Sequence, residues 1–274
     1  IRDSVASRGL GDAYKRQVLG CGAMAGALVG GLIDAGQMKA EDVVATARSA
    51  SHRDEIANTL GVTTSGDNTT AVRDADLVIL GVKPYAAVDV LEEVSGALKA
   101  DAVVVSIAAG VTTEKLLMAW QGKIVRVMPN TPVRVGKGAF IVSSAPGSED
   151  AAKKVGDLLE SVGVVVTVPE ELHNAATAVS GSGPAYVFLV AEAMIDAAVA
   201  LGVPRDQASQ LTVATLAGSA ELLAGGEHPA VLRSKVTSPG GTTAAAVAAL
   251  EAGGVRSVFA DAMTACRDRA AGLS

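Results

Sequence analysis

The sequence predicts an α/β domain built on a parallel sheet, followed by an all-helical domain. Three observations carry this reading. From residue 18 to about 168, short β-rich apolar runs alternate with longer helical patterns, the arrangement of strands joined by crossover helices. Several of those runs are apolar without interruption, as strands covered on both faces are. After "PEELHN" no strand pattern returns, and alanine- and leucine-rich segments broken by Gly and Pro fill the chain to its end.

Residues 1–17, "IRDSVASRGLGDAYKRQ", match neither strand nor helix period and read as a non-native leader. The strand candidates then follow in order: "VLG" at 18, "VVATA" at 43, "LVILGV" at 77, "AVVVSIA" at 102, "KIVRVMP" at 123, "AFIVS" at 139 and "VVVTV" at 164. Helices are expected at 23–35, 52–60 and 85–98 between them. The first strand is short: "YKRQ" leaves only Val18 and Leu19 ahead of the first glycine. The expected domains are 18–169 for the sheet and 170–274 for the helices. In the latter, "PAYVFLVAEAMIDAAVALG" at 184–202 is apolar around most of its circumference, with Glu192 and Asp196 as one polar stripe. Such a helix is covered on nearly all sides. A helical half this small covers it poorly alone, so a subunit interface is expected, with burial inside the monomer as the alternative.

Composition narrows the function. With 19% charged residues and a net charge of -6, the chain has no basic surface for nucleic acid or anionic membrane. Cys21 and Cys266 are too few for a disulfide framework or zinc site, which points to a reducing, cytoplasmic compartment. His52, His173 and His228 share no ligand spacing and read as surface or loop residues, so no metal is expected. The leader lacks the apolar core of a signal peptide, and no uninterrupted apolar run reaches the roughly 18 residues of a membrane span.

The chemistry begins at "VLGCGAMAGAL", where Gly20, Gly22 and Ala25 stand at G-x-G-x-x-A spacing between strand and helix. Gly20 makes the tight turn, Gly22 lets backbone touch a pyrophosphate, and Ala25 lets helix and strand approach. This is a Rossmann-type dinucleotide turn, and Ala23 and Met24 at the helix start complete its cofactor-binding set. An NAD site would place an acid at the end of the second strand. Here that strand ends in Thr46, and Arg48 and Ser49 follow, offering a guanidinium fork and a hydroxyl to a ribose phosphate. NADPH is therefore the expected cofactor, with NADH as a possible substitute and Arg48 as a plain solvated cation as the alternative. Further strand-end turns carry Val82, Lys83 and Pro84, then Ala108 and Gly110, then Asn130 within "MPNTP". Lys83 suits a phosphate or ribose and Asn130 the nicotinamide side. Either suits ordinary turn chemistry equally.

Two glycine-rich turns lead into helices of the second half. In "SGSGPAY", 180–186, Ser182 or Gly183 caps and Pro184 takes the first turn. In "VTSPGGTT", 236–243, Gly240, Gly241 and Thr242 present N–H groups at a positive helix end, suited to one carboxylate. Plain helix capping is the competing reading of each.

The order G-x-G-x-M, "VKP", "MPNTP", "SGSGPAY" and "VTSPGGTTAAAVAALEAGGVRSVFADAM" closely resembles the pyrroline-5-carboxylate reductase family, from about residue 18 to the carboxyl end. The resemblance implies a Rossmann-type domain, an intertwined helical dimerisation domain and often rings of dimers. It also implies NAD(P)H as reductant and a cyclic imine carboxylate as substrate near the dimer interface. On that basis Ser182, Gly240, Gly241 and Thr242 bind substrate. Thr243, matching the family's threonine in this loop, is the catalytic candidate, its hydroxyl reaching the ring nitrogen.

Two other classes of protein share parts of this pattern. The 3-hydroxyacid dehydrogenase group places a lysine on the first long helix after the sheet, and no lysine occurs here between Lys154 and Lys235. A nonenzymatic NADPH sensor would keep the dinucleotide turn but would not need the anion nest at "SPGGTT".

Overall fold

The computed structural model describes residues 15–272, so residues 1–14 of the expected leader lie outside it. Strand β1 spans Arg16–Leu19, so it starts inside the expected leader, two residues ahead of Val18. It is anchored by a hydrogen bond from the Lys15 N–H to the Asp76 carboxylate at 3.0 Å and by Lys15 O, which accepts from Asp76 N–H. All four of its residues are buried, Arg16 and Gln17 among them. The Gln17 side-chain oxygen has no hydrogen-bond partner among the described residues.

Seven further strands complete one sheet: β2 Val43–Thr46, β3 Thr63–Ser65, β4 Leu77–Leu80, β5 Val103–Ser106, β6 Lys123–Met128, β7 Gly138–Ser144 and β8 Gly163–Thr167. Their order is β3-β2-β1-β4-β5-β6-β7-β8. β1 lies between β2 and β4, with Arg16 opposite both Val43 and Leu77. The chain therefore reverses its direction of winding beside β1, and in open sheets ligands bind outside the strand ends at that point. Two features differ from the sequence reading. β3 was not expected, and β7 runs antiparallel to β6, so the sheet is mixed.

Helices α1 Ala23–Asp34, α2 Ala50–Leu60, α3 Asn68–Val72, α4 Ala87–Ser95, α5 Thr113–Ala119 and α6 Glu149–Leu159 cover the sheet. Successive residues of each strand feed opposite faces, as the two-residue pleat requires. Val18, Leu77 and Ile79 join one apolar cluster with Leu28, Val29 and Leu32 of α1. Leu19, Val78 and Leu80 join another with Leu91 and Val94 of α4 and Leu116 of α5.

The remaining helices are α7 His173–Ser180, α8 Gly183–Ala200, α9 Arg205–Ala224, α10 Pro229–Lys235, α11 Thr242–Ala252 and α12 Val255–Ala271. The chain divides into two compact units, one running through Ser182 and resuming at Cys266, the other Gly183–Ala265. The sheet unit thus extends past the expected boundary at 169/170, because α7 is packed onto β7. His173 of α7 is 1% exposed and pairs through Nδ1 with Ser143 Oγ at 2.9 Å. This corrects the reading of His173 as a surface residue.

Around that histidine lies a polar cluster. Arg126 Nη1, on β6, donates to Glu170 Oε1 at 2.7 Å, and Glu170 also accepts from the backbone N–H and hydroxyl of Thr113. Burial pushes the Glu170 carboxyl up, but the Thr113 hydrogen bonds and the Arg126 charge outweigh it and hold it below the usual range. Burial, aided by the Arg126 charge, lowers His173 from 6.5 to about 4. The folded protein then keeps this imidazole neutral while the unfolded chain takes up a proton as pH falls through 6.5. Stability is complete above that value and declines toward about pH 4, by about 3 kcal/mol in total. Urea unfolding across this window is expected to show that slope, and His173→Gln to flatten it; a wild-type stability independent of pH there would contradict the assignment.

The Gly183–Ala265 unit is thin. Only Ala208 and Thr212 in it are buried, while Val187, Phe188, Leu189 and Leu211 are more than half exposed. Glu170–Ala200 forms a helical stretch long and apolar enough to cross a membrane by length and composition, and none of its most apolar window is buried within the chain. The alternative that α8 is covered inside the monomer is therefore overturned. Within the unit, α8 and α12 meet through an edge-on contact of Tyr186 with Phe259, with ring centroids 6.4 Å apart.

Candidate active site

The first half of the site is the turn between β1 and α1. Gly20 adopts φ +74, and a Cβ there would sit 2.4 Å from Val82 Cγ1, so both backbone and space demand glycine. The turn is held from β2: Gly20 N–H donates to Thr46 Oγ1 at 3.1 Å, and Cys21 N–H to Thr46 O at 2.9 Å. Thr46 Oγ1 in turn donates to Asn68 Oδ1 at 2.7 Å. Burial pushes the Cys21 thiol up to about 11, which makes it an inert neighbour of the turn.

Gly22 is the N-cap of α1, and a Cβ placed on it would meet nothing within 4 Å. No side chain caps this helix and no acid occupies its first turn. The first-turn amides of Ala23, Met24 and Ala25 thus form an open cradle at a positive helix end, which fits the pyrophosphate of a dinucleotide. Ala25 is buried and defines the close approach of α1 to the sheet. Its counterpart is Gly81, where a Cβ would lie 2.7 Å from Ala25 Cβ and 2.9 Å from Gly20 O. Sequence reasoning missed Gly81, Thr46 as a bracket, and Asn68; the only local signal was a glycine directly after an apolar strand.

Arg48 and Ser49 are exposed between β2 and α2. Ser49 Oγ caps α2 by accepting from His52 N–H at 3.3 Å. The Arg48 guanidinium has no ion-pair partner among the described residues, and the loop beneath it is fixed by Arg53, whose Nη1 donates to Ala47 O and Arg48 O. Lys83 is exposed and precedes the turn Pro84–Ala86, with Val82 half-buried against Gly20. Ala108 and Gly110 follow β5, Gly110 at φ +76. Asn130 is buried, its Oδ1 accepts from Ala139 N–H at 2.9 Å, and its Nδ2 donates to Ser180 O at 3.1 Å. Its amide clasps β7 to the end of α7, the structural role that the sequence left open beside the nicotinamide one.

The second half is the start of α11. Gly240 adopts φ +70, and Gly241 is an N-cap without any side-chain cap. The Gly241 N–H is already committed to Ser238 O at 3.0 Å, and a Cβ on Gly241 would strike Ser238 Oγ at 2.4 Å. Gly241 is thus a spacer rather than a donor, a correction to the expected donor set. The donors that an anion would meet are the first-turn amides of Thr242, Thr243 and Ala244. Thr242 is exposed and Thr243 half-buried. Ser182 precedes α8 and places its hydroxyl 3.1 Å from Cys266 Sγ, a contact within the sheet-bearing unit. The structure brings together Gly20, Gly22, Ala23, Met24 and Val82 in that unit, and Gly240 to Thr243 in the helical one.

Comparison with known proteins gives a family match for each part of the chain. Residues 170–273 match the family model described as pyrroline-5-carboxylate reductase dimerisation, and residues 15–110 match that of NADP oxidoreductase, coenzyme F420-dependent. A pyrroline-5-carboxylate reductase of Corynebacterium melassecola is 43% identical, with 92% of this chain and 96% of that protein aligned. The solved pyrroline-5-carboxylate reductase of Coxiella burnetii superposes with a TM-score of 0.87 at 37% identity, covering 96% of this chain and 99% of that one. That of Plasmodium falciparum, solved with NADP bound, gives 0.86 at 31% identity over 95% and 98%. With a turn built for a dinucleotide, an uncapped glycine-led helix start and these likenesses over nearly its whole length, the chain belongs to the pyrroline-5-carboxylate reductase family.

Proposed function

We propose that this chain reduces 1-pyrroline-5-carboxylate to L-proline with NAD(P)H, NADPH being preferred, as a homodimer or higher homo-oligomer in the cytoplasm. The observation that carries the reading is the start of α11: three first-turn amides with no side-chain cap, beside the Thr243 hydroxyl. These amides and the helix dipole receive the substrate carboxylate, fixing the ring by its acid group. Thr243 hydrogen-bonds the ring nitrogen, whose charge changes as the C=N bond becomes CH–NH. When bound, NAD(P)H would supply a hydride to the imine carbon, the nitrogen entering as the protonated iminium so that the product is the neutral secondary amine, and Gly20, Gly22, Ala23 and Met24 would hold the cofactor pyrophosphate. The residues' contribution is orientation and charge complementarity. Ser182 is reassigned from substrate ligand to support of the turn before α8, on the strength of its contact with Cys266.

The apolar surface of α8 and α9 is covered by a second copy of this chain, which the matching dimerisation family supports. Neither nucleic acid nor membrane is a partner on this reading, since the chain is acidic and the dimer covers α8.

NADPH preference rests on Arg48, which is exposed, unpaired among the described residues and has its backbone pinned by Arg53. Losing a guanidinium–phosphate contact costs about a factor of ten or more. Arg48→Ala is therefore expected to raise KM for NADPH by about tenfold while leaving KM for NADH nearly unchanged. Wild-type kcat/KM higher with NADH than with NADPH would refute the preference. The activity itself is tested by imine-dependent loss of NADPH absorbance, and no oxidation in the presence of the imine would refute the reading.

A further inference from the structure

His52 lies in the first turn of α2, yet its ring reaches the dinucleotide turn. Nε2 stands 3.1 Å from the carbonyl oxygen of Cys21, the residue between Gly20 and Gly22. Nδ1 stands 3.1 Å from Glu55 Oε2. Both partners are acceptors. A neutral imidazole has one N–H and one lone pair, so in either tautomer one nitrogen would face an acceptor with its lone pair. Only the imidazolium satisfies both contacts.

We propose that His52 is a positioning residue for cofactor binding: its imidazolium, anchored on Glu55, holds the Cys21 carbonyl and thereby keeps the turn in the shape that exposes the α1 amides to pyrophosphate. This rests on the assignment of that turn as the dinucleotide site. The surroundings favour the charged ring. The hydrogen bond His52 donates to the Glu55 carboxylate, followed by that to the Cys21 carbonyl, raises the His52 pKa above 6.5. The elements packed against α2 add little charge. β2 and β3 carry no titratable side chain, and the titratable group of α1, Asp34, is at its far end. The nearby cations are Arg48 and Arg53, the latter committed to the carbonyls of residues 47 and 48. The Cys21 thiol stays neutral. Asp54, on the helix itself, is the remaining neighbouring acid.

The test is calorimetric binding of NAD+ and NADP+ to the intact protein at about pH 6 and about pH 8, spanning the imidazole range. NAD+ lacks the ribose phosphate, which itself titrates near pH 6, so its pH dependence reports on the protein. NAD+ is expected to bind about fivefold tighter at the lower pH, the net scale of one hydrogen bond. His52→Ala is expected to weaken both cofactors and abolish the pH effect. His52→Gln, which keeps an N–H donor but not the titration, is expected to restore much of the affinity with no pH dependence, a rescue that loss of packing alone would not give. Wild-type NAD+ affinity independent of pH, or His52→Ala binding like wild type, overturns the proposal for His52. Absence of binding of either cofactor to the wild-type protein overturns instead the dinucleotide assignment beneath it.

Discussion

Thr243→Ala is expected to lower kcat for imine reduction on the order of a hundredfold, the usual effect of removing one donor aimed at developing charge. Thr243 is the second residue of α11 and half-buried, so the backbone amides around it survive the substitution and the carboxylate keeps its donors. Under the proposed roles, with the hydroxyl on the nitrogen and the amides on the acid, the loss should fall on kcat more than on KM for the imine. Thr243→Ser, which retains the hydroxyl, should recover most of the rate. Turnover in Thr243→Ala equal to wild type would remove this residue from the mechanism.

The second large effect concerns assembly. Phe188 and Leu189 on α8 are each 65% exposed in the single chain, so charging them disturbs little within one protomer. Their burial by a second copy is worth roughly 1.5–3 kcal/mol for each side chain. The pair Phe188→Glu with Leu189→Glu removes this stabilisation on both protomers and places carboxylates in an apolar contact, so the dimer should weaken by more than about a thousandfold. Sedimentation should find monomers at concentrations where the wild type associates. Activity should fall in parallel, since the unit that carries α11 has almost no core of its own. An unchanged sedimentation profile would mean that α8 is not the interface.

These expectations differ in how far they were legible before the structure. The strands starting at 43, 77 and 103 announced themselves because both of their faces are covered and every residue is apolar, or nearly so. Thr63–Ser65 escaped notice, because three polar residues at a sheet edge carry no pattern. The direction of β7 is invisible to periodicity, which is the same for parallel and antiparallel strands. The dinucleotide turn could be read from its own glycines, while the groups that brace it could not. Thr46, Asn68 and Gly81 act through contacts with residues far away in sequence, such as the 2.7 Å from a Gly81 Cβ to Ala25. His173 was misjudged, and the reach of His52 missed, for a similar reason. His173 stands beside acidic, loop-like sequence, yet its helix is drawn onto the sheet by Ser143 and the Arg126–Glu170 pair, and His52 reaches back to a carbonyl thirty-one residues earlier. α8 was legible as a helix with only one narrow polar stripe, Glu192 and Asp196, which is why its exposure in one chain points to a second.

The proposed substrate site is the start of α11, and a crystal structure of the protein with NADP+ and a proline-like carboxylic acid addresses it most directly. The expected result is the carboxylate within hydrogen-bond distance of the Thr242 and Thr243 amides, with the ring heteroatom turned toward Thr243 Oγ1. The acid bound elsewhere, with the first turn of α11 left to solvent, would contradict the account.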